Sequence, residues 1–244
     1  MRRNLALGVV LALAACAGGA GGNADGDDSA VNDETGMQAR AEATASGAGA
    51  TDRAEVILFL GTSLTAGYGV GAEFAYPAVL RAKIDSAGYP FRVVNAGLSG
   101  ETSAGGLRRL EWSLQEPVSI LVVELGANDG LRGLSVEELS RNLETIVRRT
   151  RDRYPAAGIV IVGMEAPPNM GAAYTNGFRN VFARLARDFD AALVPFLLDG
   201  VAGDPALNQD DRIHPTIEGQ RRAAENVWTV LEPLLRERVA DQAG

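Results

Sequence analysis

Val56-Ile57-Leu58-Phe59-Leu60-Gly61-Thr62-Ser63-Leu64-Thr65-Ala66-Gly67-Tyr68 is the stretch on which the reading of the chain turns. An apolar run of strand length, Val56–Leu60, ends in a glycine. A polar turn, Gly61-Thr62-Ser63, follows, and beyond it the chain is compatible with a helix. In folds that alternate strands and helices, such a turn lies at the carboxyl end of a strand among exposed backbone N–H groups, a place suited to a nucleophile or an anion. Many strand–helix turns read Gly-x-Ser and do nothing chemical, so the rest of the chain must supply partners for Ser63.

Downstream, strand-like and helix-like segments alternate. The pattern predicts strands over Val56–Leu60, Phe91–Ala96, Ser119–Leu125, Gly158–Met164 and Ala192–Pro195. Helices are expected over Phe74–Ala87 (stopped by Gly88 and Pro90), Thr102–Gln115 (Pro117 just beyond), Thr175–Phe189 and Thr216–Leu235. A further helix opens at Ser135, with Glu138 completing a capping box, carries Leu139, Leu143, Ile146 and Val147 on one face, and runs to about Tyr154. Continuously apolar strands between amphipathic helices mean a parallel sheet covered on both faces. With right-handed crossovers this is an α/β fold: a three-layer α/β/α sandwich with a flavodoxin-like five-stranded parallel sheet. Ligands in such folds bind at the carboxyl ends of the strands, here the loops beginning at Gly61, Gly97, Gly126 and Met164 and the segment after Pro195.

Ahead of this domain the chain starts Met1-Arg2-Arg3, continues with an apolar run from Leu5 to Ala15 and ends it Leu13-Ala14-Ala15-Cys16. A basic start, an apolar stretch too short to span a bilayer and small residues at the end read as an export signal over residues 1–15. The L-A-A-C ending resembles the bacterial lipobox, which implies lipidation of Cys16 after cleavage. Cys16 is the only cysteine, so it forms no intramolecular disulfide. Residues 16–54 are rich in Gly, Ala, Asp, Ser and Thr without an aromatic, and read as a disordered tether. The domain then spans 55–236, with a tail at 237–244. Of the chain's net −8, residues 55–244 carry −5, and no basic cluster suggests a nucleic-acid partner. The expected product is an exported, membrane-anchored lipoprotein whose only membrane contact is the lipid. Ala17 rather than Asp after the cysteine points to the outer membrane if the host is Gram-negative.

His214, in D-D-R-I-H-P, is the only histidine. If an imidazole activates Ser63, His214 is that imidazole. Asp211, three residues earlier in the turn, puts a carboxylate where it can accept from Nδ1–H, aim Nε2 at a hydroxyl and stabilise the imidazolium. Acyl transfer also needs donors for the developing oxyanion. Candidates are the N–H of Ser63, the N–H of Gly97 in N-A-G-L-S-G (glycine tolerates φ > 0) and the side-chain N–H of Asn128 in G-A-N-D. One histidine and scattered acids form no zinc constellation, so neither metal nor cofactor is expected. A carboxylate-pair glycosidase using Glu101 and Asp211 has nothing in the sequence to bring the two together.

These blocks resemble the GDSL lipase/esterase family, also called SGNH hydrolases: G-T-S-L-T around Ser63, N-A-G-L-S-G around Gly97, G-A-N-D around Asn128 and D-R-I-H around His214, in order from about Glu55 to Leu235. The resemblance implies nucleophile Ser63, base His214, orienting Asp211 and oxyanion donors Ser63, Gly97 and Asn128. It departs at Thr62, where the family's first block commonly has Asp. N-A-G-L-S-G-E-T-S-A-G-G and G-M-E-A-P-P-N-M-G look like the branch of arylesterases, acyl-CoA thioesterases and lysophospholipases, in which the loop at about Ala166–Tyr174 borders the acyl pocket. The expected activity is a serine esterase acting on small-molecule or lipid esters or thioesters. A carbohydrate O-acetylesterase is the alternative; a non-catalytic tethered binding module is disfavoured because all four blocks are intact.

Overall fold

The apolar runs become five strands of one sheet. In the computed structural model, which describes residues 54–243, these are β1 (Glu55–Gly61), β2 (Phe91–Gly97), β3 (Ile120–Glu124), β4 (Gly158–Val162) and β5 (Ala192–Val194). All neighbours pair in parallel, in the order β2-β1-β3-β4-β5. Helices α1 (Ser63–Ala66), α2 (Tyr76–Ser86), α3 (Ser103–Ser113), α4 (Ala127–Leu131), α5 (Val136–Arg153), α6 (Ala172–Asp188) and α7 (Ile217–Ala243) connect and follow them. α2 packs on α7, while α5 packs on both α3 and α6, so helices cover the two faces and the sandwich is three layers deep. Residues 56–60 of β1 and 120–123 of β3 are all buried, which is why these segments are apolar without alternation. The signal read over 1–15, the Cys16 lipidation site and all but the last residue of the tether lie outside the described residues.

Several boundaries differ from the sequence reading, each for a local reason. The closing helix does not stop at Leu235 but continues through most of the expected tail to Ala243. Arg238 there donates to Glu55 at 2.5 Å and to the Ala156 carbonyl at 3.0 Å, and Gln242 donates to Glu55 at 2.6 Å. α6 starts at Ala172, three residues before Thr175. α1, α4 and a 3-10 turn at Pro168–Met170 are too short for any hydrophobic period to reveal. Ser135 does cap α5, accepting from the Glu138 N–H at 3.2 Å, but the return bond of a capping box is absent. The Ser135 hydroxyl donates to Glu137 instead, and Glu138 faces Arg141.

The strand order places the chain's change of direction between β1 and β3. β1 connects outward to β2, and the next connection crosses back over β1 to β3. Loops leaving β1 and β3 therefore diverge and open a crevice at their carboxyl ends. No described helix is long and apolar enough to cross a membrane.

Candidate active site

Register brings the site together. Gly61, the last residue of β1, pairs with Gly97 of β2 and Glu124 of β3, so three strands end level and their loops meet. Ser63 is the first residue of α1 and is buried apart from a small exposed remainder. Beneath its turn lies the wholly buried carboxylate of Glu124. It accepts from the Thr62 N–H at 2.9 Å, the Thr62 hydroxyl at 3.0 Å and the Thr65 hydroxyl at 2.8 Å. Burial pushes Glu124 up to about 7, although each of those hydrogen bonds pulls it down; desolvation is the larger effect. The Thr65 hydroxyl also meets the Tyr76 hydroxyl at 2.9 Å, and burial raises that phenol well above its usual value. At Thr62 a hydroxyl takes the place where an aspartate would set a second carboxylate against a buried one.

His214 reaches this turn from the loop before α7. Its Nε2 stands 2.9 Å from Ser63 Oγ and its Nδ1 2.6 Å from Asp211 Oδ2. Asp211 Oδ1 accepts the N–H groups of Ile213 and His214 at 2.9 and 3.0 Å, a local turn that fixes where the imidazole stands. Hydrogen bonds from His214 (backbone, then ring) and from the Ile213 N–H hold Asp211 down at about 2, so it is ionised at neutral pH. An ionised Asp211 accepts, which assigns the proton to Nδ1 and leaves Nε2 as the acceptor for the Ser63 hydroxyl. Tyr68 lies with its ring centroid 4.5 Å from that of His214, and Gln209 ties the two loops by donating to the carbonyls of Tyr68 and Pro215.

Ser63, Asp211 and His214 are thus brought together as the sequence suggested. Asn128, at the start of α4, lines the same cleft and donates one side-chain N–H to the Glu101 carbonyl at 3.0 Å, leaving the second free. Gly97 is a correction. Its N–H donates to Asn95 Oδ1 at 2.9 Å, its φ is not positive, and it is not among the residues lining the cleft. A side chain is excluded there because a Cβ would stand 2.3 Å from the Ala66 N, where β2 runs against α1. The glycine of N-A-G-L-S-G that lines the cleft is Gly100, whose φ of +77 requires glycine. Its N–H has no acceptor among the described residues. The surrounding loop is held by Arg132, which donates to the Gly100 carbonyl at 2.9 Å, and by Glu101, which pairs with Arg109 at 2.5 Å. Glu101 and Asp211 therefore have different partners and form no carboxylate pair. Sequence reasoning also missed Tyr68 and Glu124; a glutamate in the final, otherwise apolar position of a central strand was the available signal for the latter.

The cleft in front of Ser63 has a volume of about 470 Å³. Ala127, Leu131, Met164, Ala166, Phe196 and Leu198 make most of its wall apolar. Pro167 and Pro168 join them, but Tyr174, at the far end of the expected acyl-pocket loop, does not. Its hydroxyl donates to the Leu134 carbonyl and its ring stacks on Phe178.

Residues 59–222 match the model of the GDSL-like lipase/acylhydrolase family. The chain belongs to that family. It is a GDSL-type serine hydrolase acting on ester bonds. It is 41% identical to esterase TesA of Pseudomonas aeruginosa over 75% of its length and 90% of that relative. It is 37% identical to thioesterase 1/protease 1/lysophospholipase L1 of Escherichia coli over 75% of its length and 86% of that relative. A crystal structure of TesA superposes with a TM-score of 0.71 at 40% identity, covering 74% of this chain and 99% of the other. The family confirms the sandwich fold and ester hydrolysis expected from the motifs.

Proposed function

We propose that Ser63, His214 and Asp211 act as a catalytic triad for the hydrolysis of carboxylic esters or thioesters through an acyl-enzyme. The observation that carries this is the unbroken chain from Ser63 Oγ to His214 Nε2 at 2.9 Å and from Nδ1 to Asp211 at 2.6 Å. Ser63 Oγ attacks the acyl carbon as its proton passes to Nε2, and the carbonyl π bond opens onto oxygen. The oxyanion is met by the N–H groups of Ser63 and Gly100 and the free side-chain N–H of Asn128. Collapse breaks the bond to the alcohol or thiol, which leaves with the proton from Nε2. Water then repeats the sequence on the acyl-Ser63 ester, giving up a proton to Nε2, and the carboxylic acid is released with Ser63 restored.

The apolar cleft wall supports a substrate with a small or medium acyl chain, in line with the esterase and thioesterase names of the relatives. The same wall disfavours an O-acetylated sugar, whose hydroxyls need convergent polar partners. p-Nitrophenyl butyrate tests the reading: Ser63→Ala and His214→Ala are expected to lower kcat at least about 10³-fold, with Asp211→Asn retaining more. Full activity in either of the first two removes the triad. We also propose Cys16 as the lipidated anchor, supported by the L-A-A-C pattern and its standing as the sole cysteine. Cys16→Ala is expected to release the protein from membranes or stop its maturation.

A further inference from the structure

Arg212 forms the corner of the loop that carries the base, and its backbone is of a kind long side chains avoid. Its φ is +59; only Asp190 among the other described non-glycine residues is also in the left-handed region. The turn imposes this conformation. Asp211 Oδ1 gathers the N–H groups of Ile213 and His214, and the Arg212 N–H donates to the Gln209 carbonyl at 2.8 Å. Glycine or asparagine would satisfy that turn with less strain, so the backbone does not account for an arginine. An outlier of this kind beside a reacting group points to a function for the side chain.

Arg212 lines the cleft together with Ser63 and His214. The carboxylate on that wall, Glu165, is already paired with Arg179 at 3.0 Å. Among the described residues no carboxylate stands within ion-pair distance of the Arg212 guanidinium: Asp211 is taken by His214, and Asp210 borders a separate depression with Gly69 and Gln209. A cation with no carboxylate partner among the described residues thus stands on the wall of a largely apolar cleft. Which part of a substrate it meets follows from the triad reading, on which this inference rests. The leaving oxygen must come within hydrogen-bond reach of His214 Nε2 to take its proton. The alcohol therefore departs along the loop that bears His214, and Arg212 is two residues away on that loop.

We propose that Arg212 is a specificity-determining residue that binds an anionic group, a carboxylate or a phosphate, on the alcohol side of the ester. A guanidinium matches both anions with paired donors.

Two substrate pairs test this, each differing by one anionic group: 4-butyryloxybenzoate against its near-isosteric neutral amide 4-butyryloxybenzamide, and 1-butyrylglycerol 3-phosphate against 1-butyrylglycerol. The readout is the ratio of kcat/KM, anionic over neutral, in the full chain and in Arg212→Lys, Arg212→Gln and Arg212→Asn, the last of which suits left-handed backbone. The ratio is expected to fall about fivefold or more in the Gln and Asn variants, chiefly through KM, to be largely kept by Lys, and to shrink in the parent enzyme as salt is raised. A fall in the phosphate pair alone identifies a phosphoryl headgroup as the source of the anion, and a fall in the carboxylate pair alone a simple acid; both support the subsite. Ratios that do not respond to Arg212 in either pair, while the neutral esters are still hydrolysed, overturn the proposal and leave the triad standing. Hydrolysis of no ester at all would overturn the triad and this proposal with it. Melting temperatures of the variants separate loss of recognition from loss of fold.

Discussion

At Glu124, burial and hydrogen bonding pull against each other, and burial prevails. The carboxyl sits at about 7 in the folded protein against an ordinary 4.5. The folded state therefore holds a proton that the unfolded chain releases between those values. Folding stability is expected to fall as pH rises from about 4.5 to about 7 and to level off above, by at most about 1.4 kcal/mol per pH unit. Glu124→Gln removes the titrating group, so urea unfolding at pH 5 and pH 8 should lose this slope; an unchanged slope places its origin elsewhere. Asp211 has the opposite sign. Its depressed value contributes stability above its ordinary 3.8 that is lost as pH falls towards 2, a small effect because the carboxylate is largely exposed to solvent. On the oxyanion side, Asn128→Ala should lower kcat about 10²- to 10³-fold with p-nitrophenyl butyrate. A change of less than about threefold would remove Asn128 from the oxyanion site.

The loop after β2 shows what its sequence conceals. N-A-G-L-S-G offers two glycines three residues apart, and either satisfies an argument from conformational freedom alone. The two are separated only by tertiary contacts: Gly97 is pressed against the α1 backbone, whereas Gly100 takes the positive φ and faces the cleft. Gly97→Ala is expected to destabilise the fold by several kcal/mol, because the clash is with backbone and relief must move α1 and Ser63 with it. Gly100→Ala meets nothing nearer than Arg132 Nη2 at 3.8 Å and should cost only the left-handed strain, about 1 kcal/mol. Chemical denaturation of both variants checks the order; equal losses would contradict it. The proposed triad, by contrast, was legible because its members are scarce or local: a single histidine, an aspartate one turn away and a serine directly after a strand. Glu124 and Tyr68 were not, since their roles depend on which strands lie side by side and which loops touch.

Across the whole molecule, the five strands and their parallel pairing were legible from continuous apolar runs, while the ends of the helices were not. α7 reaches Ala243 because Arg238 and Gln242 both find Glu55 at the start of β1, a partner 183 and 187 residues away. Ending the chain after Leu235 should therefore loosen the entry to β1 and lower the melting temperature by about 3–8 °C, on the scale of 1–3 kcal/mol for lost charge-assisted hydrogen bonds. An unshifted transition would show that the last turns add nothing. The central claim, that one serine at the switch between β1 and β3 attacks the ester, is most directly tested by covalent trapping. The protein is treated with a p-nitrophenyl alkylphosphonate, digested and analysed by peptide mass spectrometry. One phosphonyl group on Ser63, in step with loss of activity and absent when His214 is alanine, is the expected result. Stoichiometric inactivation with the label on any other residue would contradict it.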